Sequence, residues 1–253
     1  KKILFLITKD NYFSKTCAIL FLLYPYLLGH SFFNIKDIPF MSIWLVCTYY
    51  ILNLIEVFYK KNNISLKKVI ILSILTAYLL SIRISGVLIF IQYLIFSLVI
   101  VTNYNFKIKK FFNLLLKYKI LFIFLTTFIF FLFHPNYWEN PFKVFDAIKY
   151  MSQHIQTVCT ITLGSCMKAQ NLPITYIPIW MLFKLPILIL FCLFLFPLIE
   201  KQIFLNKKMT IQLGSIIFSI FGIIFLLILF NVNLYDELRQ ILFLIPLIFI
   251  VGL

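Results

Sequence analysis

The sequence predicts an all-α fold, a polytopic transmembrane helical bundle. Hydrophobic residues make up 63% of the 253-residue chain and charged residues only 12%, whereas a soluble domain carries about 25% charged residues. A chain this apolar cannot cover itself with polar surface, so lipid must be its solvent. Its apolar stretches predict about eight membrane segments. They are 16–33, 38–59, 69–82, 84–102, 119–133, 177–199, 211–231 and 240–253.

The basic residues orient these segments, because lysines are concentrated in alternate connections. Sixteen of the 23 basic residues lie in four such places, and the positive-inside rule makes those places cytoplasmic. The net charge of +15 is therefore explained by membrane topology, and a nucleic-acid partner is not expected. The four places are Lys1 to Lys15, Lys60 to Lys68, Lys107 to Lys119 and Lys201 to Lys208.

A labelling experiment tests this orientation. Single cysteines introduced into the connections 60–68, 103–118 and 200–210 are expected to react only from the cytoplasmic side, and those in 134–176 only from the other side. The measurement is reaction with a membrane-impermeant thiol reagent in intact cells and in inverted vesicles. Labelling of 134–176 only from the cytoplasmic side would contradict the orientation as a whole.

The opposite, non-cytoplasmic face then collects most residues capable of chemistry. All three histidines, five of the eight acidic residues and both arginines fall in its connections. Arg83 and Arg239 are notable because every other basic residue is lysine. A candidate site is therefore expected on this face.

The longest outer connection, 134–176, contains a predicted amphipathic helix near 141–157. Asn140-Pro141 is typical of an N-cap followed by proline at the first helical position, and Phe142, Phe145 and Ile148 share the face expected to be buried. The helix either lies in the outer membrane interface or packs on the protein's own loops. Cys159 and Cys166 follow it, and a disulfide between them is left open.

Several outer-face segments, taken in chain order, resemble one enzyme family. They are GHSFFNIKDIPF (29–40), an arginine before a glycine (Arg83, Gly86), HPNYWENP (134–141), LPITYIPIWMLFKLP (172–186) and LYDELRQILFLIP (234–246). Together they are similar to the polyprenyl-phosphate-dependent glycosyltransferases of glycosyltransferase family 39, the protein-mannosyltransferase-like branch of the GT-C superfamily. The sequence departs from that pattern at Gln240, where the family has histidine.

The resemblance implies a GT-C-like bundle that moves a sugar from a polyprenyl-phosphate-linked donor to a lipid, glycan or protein acceptor. It also implies residence in a bacterial inner membrane, with the active site on the outer face and membrane lipid as a partner. The family's acidic first-loop motif, which supplies its presumed base, has no counterpart here. The chain starts at Lys1 and stops inside an apolar run, so we expect a single transmembrane domain, 1–253, truncated at both ends.

Candidate site residues follow from the matched motifs and from the chemistry of a leaving phosphate, which needs cationic partners. Each also has a structural explanation, such as a solvated ion pair for Asp37 or a snorkelling chain for Lys184. Asp37 is assigned a supporting catalytic role. The residues assigned to substrate binding are His30, Lys36, Arg83, Lys184, Asp236 and Arg239.

Other functions remain open at this stage. Another polymerase or ligase of lipid-linked glycan assembly would share the outer-face site, and a multi-spanning transporter would place ionisable groups near the bilayer midplane. A non-enzymatic scaffold would use the loop charges only for solubility. No metal ligands are assigned, and a divalent cofactor is left open along with the oligomeric state.

Overall fold

The chain is mostly helical in a computed structural model that describes residues 1–61, 65–103, 108–152, 159–162, 164–169, 172–204 and 207–253. This confirms the helical character of the predicted fold. The α-helices within these ranges are α1 (Lys2–Thr8), α2 (Asn11–Leu22), α3 (Pro25–Phe33), α4 (Asp37–Lys61), α5 (Leu66–Ile82), α6 (Ile89–Asn103), α7 (Ile108–Phe133), α8 (Lys143–Ser152), α9 (Tyr176–Lys184), α10 (Ile187–Phe204), α11 (Lys207–Leu229) and α12 (Ile245–Gly252).

A two-stranded hairpin is the exception to the all-α prediction. Strand β1 (Cys159–Thr162) pairs antiparallel with β2 (Ser165–Lys168), and Gly164 supplies a positive φ of 78° in the turn between them. Cys159 and Cys166 are joined by a disulfide across the hairpin. The question left open by the sequence is thus answered in favour of the bond.

The described residues show two to four candidate membrane spans, whereas the sequence predicts about eight segments. Among the described residues, two helices, over Asp37–Leu54 and Lys207–Leu229, are long and apolar enough to cross a membrane. Two bent pairs raise the number to four if each is one broken span: α2 with α3, bent by 61°, and α9 with α10, bent by 117°. Three further apolar helical stretches are shorter within the described residues, over Ile84–Val99, Tyr118–Phe133 and Arg239–Gly252.

The core of the bundle is built on α4. Trp44 is fully buried and its ring lies 4.3 Å from that of Phe243, which also contacts Phe40 edge-on at 5.4 Å. Phe243 belongs to a short 3-10 helix, Arg239–Leu244, that packs against α4 immediately before α12. This packing brings the start of the 3-10 helix to the amino end of α4, where the candidate site lies.

The outer amphipathic helix is present but differs from the prediction. It starts at Lys143, after a turn at 141–142, and is described to Ser152; residues 153–157 lie outside the described residues. Phe142 and Phe145 are largely exposed rather than buried within the protein, although both line an apolar groove against α7. Burial of Phe142 and Phe145 against the protein is therefore wrong, Ile148 is half-buried, and contact with lipid at the interface stays a prediction.

An ion-pair cluster joins separate helices at the lysine-rich end. Glu56 of α4 accepts a hydrogen bond from Lys208 of α11, and the ammonium of Lys9 lies 3.7 Å from the same carboxylate. The spacing of Glu56 and Lys60 also predicts a pair within α4, but the Lys60 side chain lies outside the described part of the chain.

Candidate anion-binding site

Asp37 opens α4 and is held there by Asn34. The amide oxygen of Asn34 accepts the Asp37 backbone N–H at 3.0 Å, and its amide nitrogen donates to the Asp37 carboxylate at 2.7 Å. A short polar side chain three residues before the helix satisfies an amide that would otherwise have no partner. The same Asn34 nitrogen lies 3.5 Å from the Nδ1 atom of His30, and all three residues are buried.

Two arginines from distant parts of the chain meet on this carboxylate. Nη1 of Arg83, at the end of α5, forms an ion pair with Oδ1 of Asp37. Nε of Arg239, at the start of the 3-10 helix, binds Oδ2 at 2.8 Å. Asp37, Arg83 and Arg239, which the sequence assigns to one candidate site, are therefore in direct contact. Only 4% of the Asp37 side chain is exposed, so its carboxylate interacts with the protein and not with solvent.

The two guanidinium groups differ in their burial and in their further hydrogen-bond partners. Arg83 also donates from Nη2 to the side-chain oxygen of Gln240 at 2.9 Å. Burial lowers the pKa of Arg83, with a smaller contribution from the charge of Arg239, but arginine is basic enough to stay protonated. Arg239 is more exposed, and its Nη1 binds Asp236 at 2.8 Å. Arg83 is thus the buried partner of Asp37, and Arg239 is the arginine that faces outward.

Lys184 completes the cluster from the end of α9. Its ammonium pairs with Glu237 at 2.7 Å and lies over two aromatic rings, 5.5 Å from the centroid of Tyr26 and 5.3 Å from that of Trp180. Cation–π contacts of this kind hold an ammonium without neutralising it. The Tyr26 ring also packs edge-on against His30 at 4.5 Å. Lys184 is therefore fixed in place by the protein, not merely extended toward the surface.

The remaining predicted residues are placed less centrally. Lys36 is exposed, and its ammonium has no partner among the described residues. His134 stacks on Phe130 at 4.5 Å, away from the cluster, and His154 lies outside the described residues. Across the described ranges no three His, Cys, Asp or Glu side chains are grouped so that they could hold a metal ion.

Charges within the cluster balance. Arg83, Arg239 and Lys184 face the carboxylates of Asp37, Asp236 and Glu237 in four ion pairs. The three cations come from separate elements, and their convergence gives fork-shaped and point-like donors suited to an oxyanion such as phosphate. The two carboxylates other than Asp37 are partly exposed, so part of this charge is accessible from solvent.

Several residues of the cluster were not predicted. Asn34, Gln240, Glu237, Tyr26 and Trp180 all contact a predicted side chain. Two of them had a recognisable pattern: Asn34 stands three residues before a helix start, and Trp180 lies four residues before Lys184 on the same helical face. The others depend on contacts between distant elements, which spacing does not show.

No protein-family model, curated protein or solved structure matches this chain. Its fold and the geometry of the charged cluster are therefore the observations on which a function can be argued.

Proposed function

We propose that this chain is an integral-membrane glycosyltransferase that moves a sugar from a polyprenyl-phosphate-linked donor to an acceptor on the non-cytoplasmic face. The observation that carries the proposal is the meeting of Arg83 and Arg239 on the buried carboxylate of Asp37, with Lys184 in an adjoining ion pair. Such a cluster is suited to a phosphate at a membrane interface.

The chemistry gives each residue a role. Transfer breaks the bond between the anomeric carbon and the phosphate oxygen and forms a bond from that carbon to the acceptor, whose proton passes to a base. Arg239 and Lys184 stabilise the negative charge that develops on the leaving polyprenyl phosphate. Asp37 is already bound by two arginines, so its role is to position Arg239 and not to accept the proton.

The sequence resemblance supports the same reaction. The residues of the matched motifs that meet in the cluster are His30, Asp37, Arg83, Lys184, Asp236 and Arg239. They belong to four motifs spread from residue 29 to residue 246. A shared site explains why separate segments carry polar residues at the ends of otherwise apolar helices.

An assay of donor use tests the proposal. Membranes that contain the protein are incubated with a labelled sugar on a short polyprenyl phosphate, or with the same sugar on a nucleotide, and an endogenous acceptor fraction. We expect release of polyprenyl phosphate and labelling of the acceptor only with the lipid-linked donor. Equal labelling from the nucleotide donor in membranes depleted of polyprenyl phosphate would contradict the proposal.

A further inference from the structure

The loop before the 3-10 helix has an unusual backbone. Asp236 and Glu237 are consecutive and have φ values of 60° and 58°, in the left-handed region that residues other than glycine rarely adopt. Such residues are strained, and they cluster where a protein switches or binds ligands. Asp236 pairs with Arg239 and Glu237 pairs with Lys184, and these ion pairs help to hold the loop in this conformation.

Arg239 and Lys184 each have a second contact that does not involve the carboxylates of Asp236 and Glu237. Arg239 is bound through Nε to buried Asp37, and Lys184 is held over the rings of Tyr26 and Trp180. If Asp236 and Glu237 moved away, both cations would keep their positions. Arg239 would then present free Nη groups, and Lys184 a free ammonium.

The loop carboxylates are also the weakly held members of the cluster. Side-chain exposure is 51% for Asp236 and 30% for Glu237, against 4% for Asp37. Exposed ion pairs contribute little to stability because water competes for both partners. Asp236 and Glu237 are consecutive in the chain, so their ion pairs with Arg239 and Lys184 lie beside each other.

We propose that Asp236 and Glu237 are displaceable counter-ions that occupy Arg239 and Lys184 when no ligand is bound, and that a phosphate monoester replaces them. The proposal rests on the proposed function, whose released product, polyprenyl phosphate, is such a monoester. It explains why a charge-balanced cluster can still accept an anion. The loop's release of strain partly compensates the lost ion pairs, so a dianion with several oxygens binds in their place.

Hexyl phosphate binding to the purified protein in lipid nanodiscs is the first test. Asp236→Asn and Glu237→Gln each remove one competing charge and are expected to tighten binding by about two- to fivefold. Glu139→Gln removes an exposed acid elsewhere on the outer face and is expected to leave binding unchanged. Equal or weaker binding by both neutral variants, with the parent still binding, would overturn the counter-ion role alone.

Hydrogen exchange of the loop distinguishes two explanations for tighter binding. One is displacement of the Asp236 and Glu237 carboxylates by the phosphate, and the other is only the loss of a negative charge. Displacement predicts that backbone amides of 235–239 exchange faster when hexyl phosphate is bound, because the loop leaves its cations and the Arg239 N–H to Asp236 C=O bond opens. Slower or unchanged exchange in the bound parent would overturn the proposal. Failure of the parent and of every variant to bind hexyl phosphate would instead overturn the anion site, and with it the proposed function.

Discussion

Arg239→Ala is expected to slow sugar transfer from a polyprenyl-phosphate donor by about 100- to 1000-fold, because it removes a preorganised cation at the leaving phosphate. Arg239→Lys is expected to recover only part of this loss. A lysine has a single ammonium and cannot bind Asp37 through one nitrogen while offering others to an anion, as the guanidinium does. The measurement is the initial rate of polyprenyl phosphate release at saturating donor, at equal protein content in the membrane.

A matched control separates this effect from a general loss of positive charge. Lys143 is an exposed cation at the start of α8, and Lys143→Ala is expected to leave the rate unchanged. Arg83→Ala is expected to reduce transfer as strongly as Arg239→Ala but by an indirect route, since it removes one of the two partners that hold Asp37. Transfer at the parental rate by both arginine-to-alanine variants would show that the phosphate assignment is wrong.

The second large effect is on stability. Asp37→Ala leaves the guanidinium groups of Arg83 and Arg239 facing each other without their shared counter-ion, with Arg83 mostly buried. Removing one partner of a buried ion pair costs about 3–5 kcal/mol, because the remaining charge is uncompensated. We expect the free energy of unfolding, measured by chemical denaturation in detergent micelles, to fall by about this amount.

Asp146 provides the control for Asp37. It is an exposed aspartate on α8 at the same end of the bundle, and Asp146→Ala is expected to change the free energy of unfolding by less than about 0.5 kcal/mol. Asp37→Asn keeps the shape of the side chain, so a loss shared by Asn and Ala variants identifies charge as the cause. Parental stability in Asp37→Ala would contradict the role of the carboxylate as the centre of the cluster.

The convergence of Asp37, Arg83 and Arg239 could be predicted because topology and composition act together. Alternating lysine clusters sorted the chain into two faces, and arginine is so rare here that two copies on one face were informative. A charged side chain inside a membrane helix is energetically costly. Charged residues at the helix ends are therefore expected to have a partner or a function. These constraints assigned the three residues to one candidate site, and the structure shows their side chains in contact.

Other features depended on contacts that periodicity does not contain. The hydrogen bond from Arg83 to Gln240 joins positions 157 residues apart. The contact of Lys184 with the Tyr26 ring requires α3 and α9 to meet. The bends after α2 and α9 divide apolar runs that look continuous in the sequence. Proline at 25 and 186 marks both breaks, but the angle of each bend is set by packing against neighbouring helices.

The shared carboxylate of Asp37 also constrains how this sequence can evolve. Because both guanidinium groups bind one side chain, the effect of changing either arginine depends on whether the aspartate is still present. Substitutions at 37, 83 and 239 are therefore expected to show strong epistasis, with the double loss of an arginine and Asp37 milder than the sum of the single losses. Descendants of the same ancestor should keep the three residues as a set, and those that lose Asp37 should show correlated replacement of an arginine.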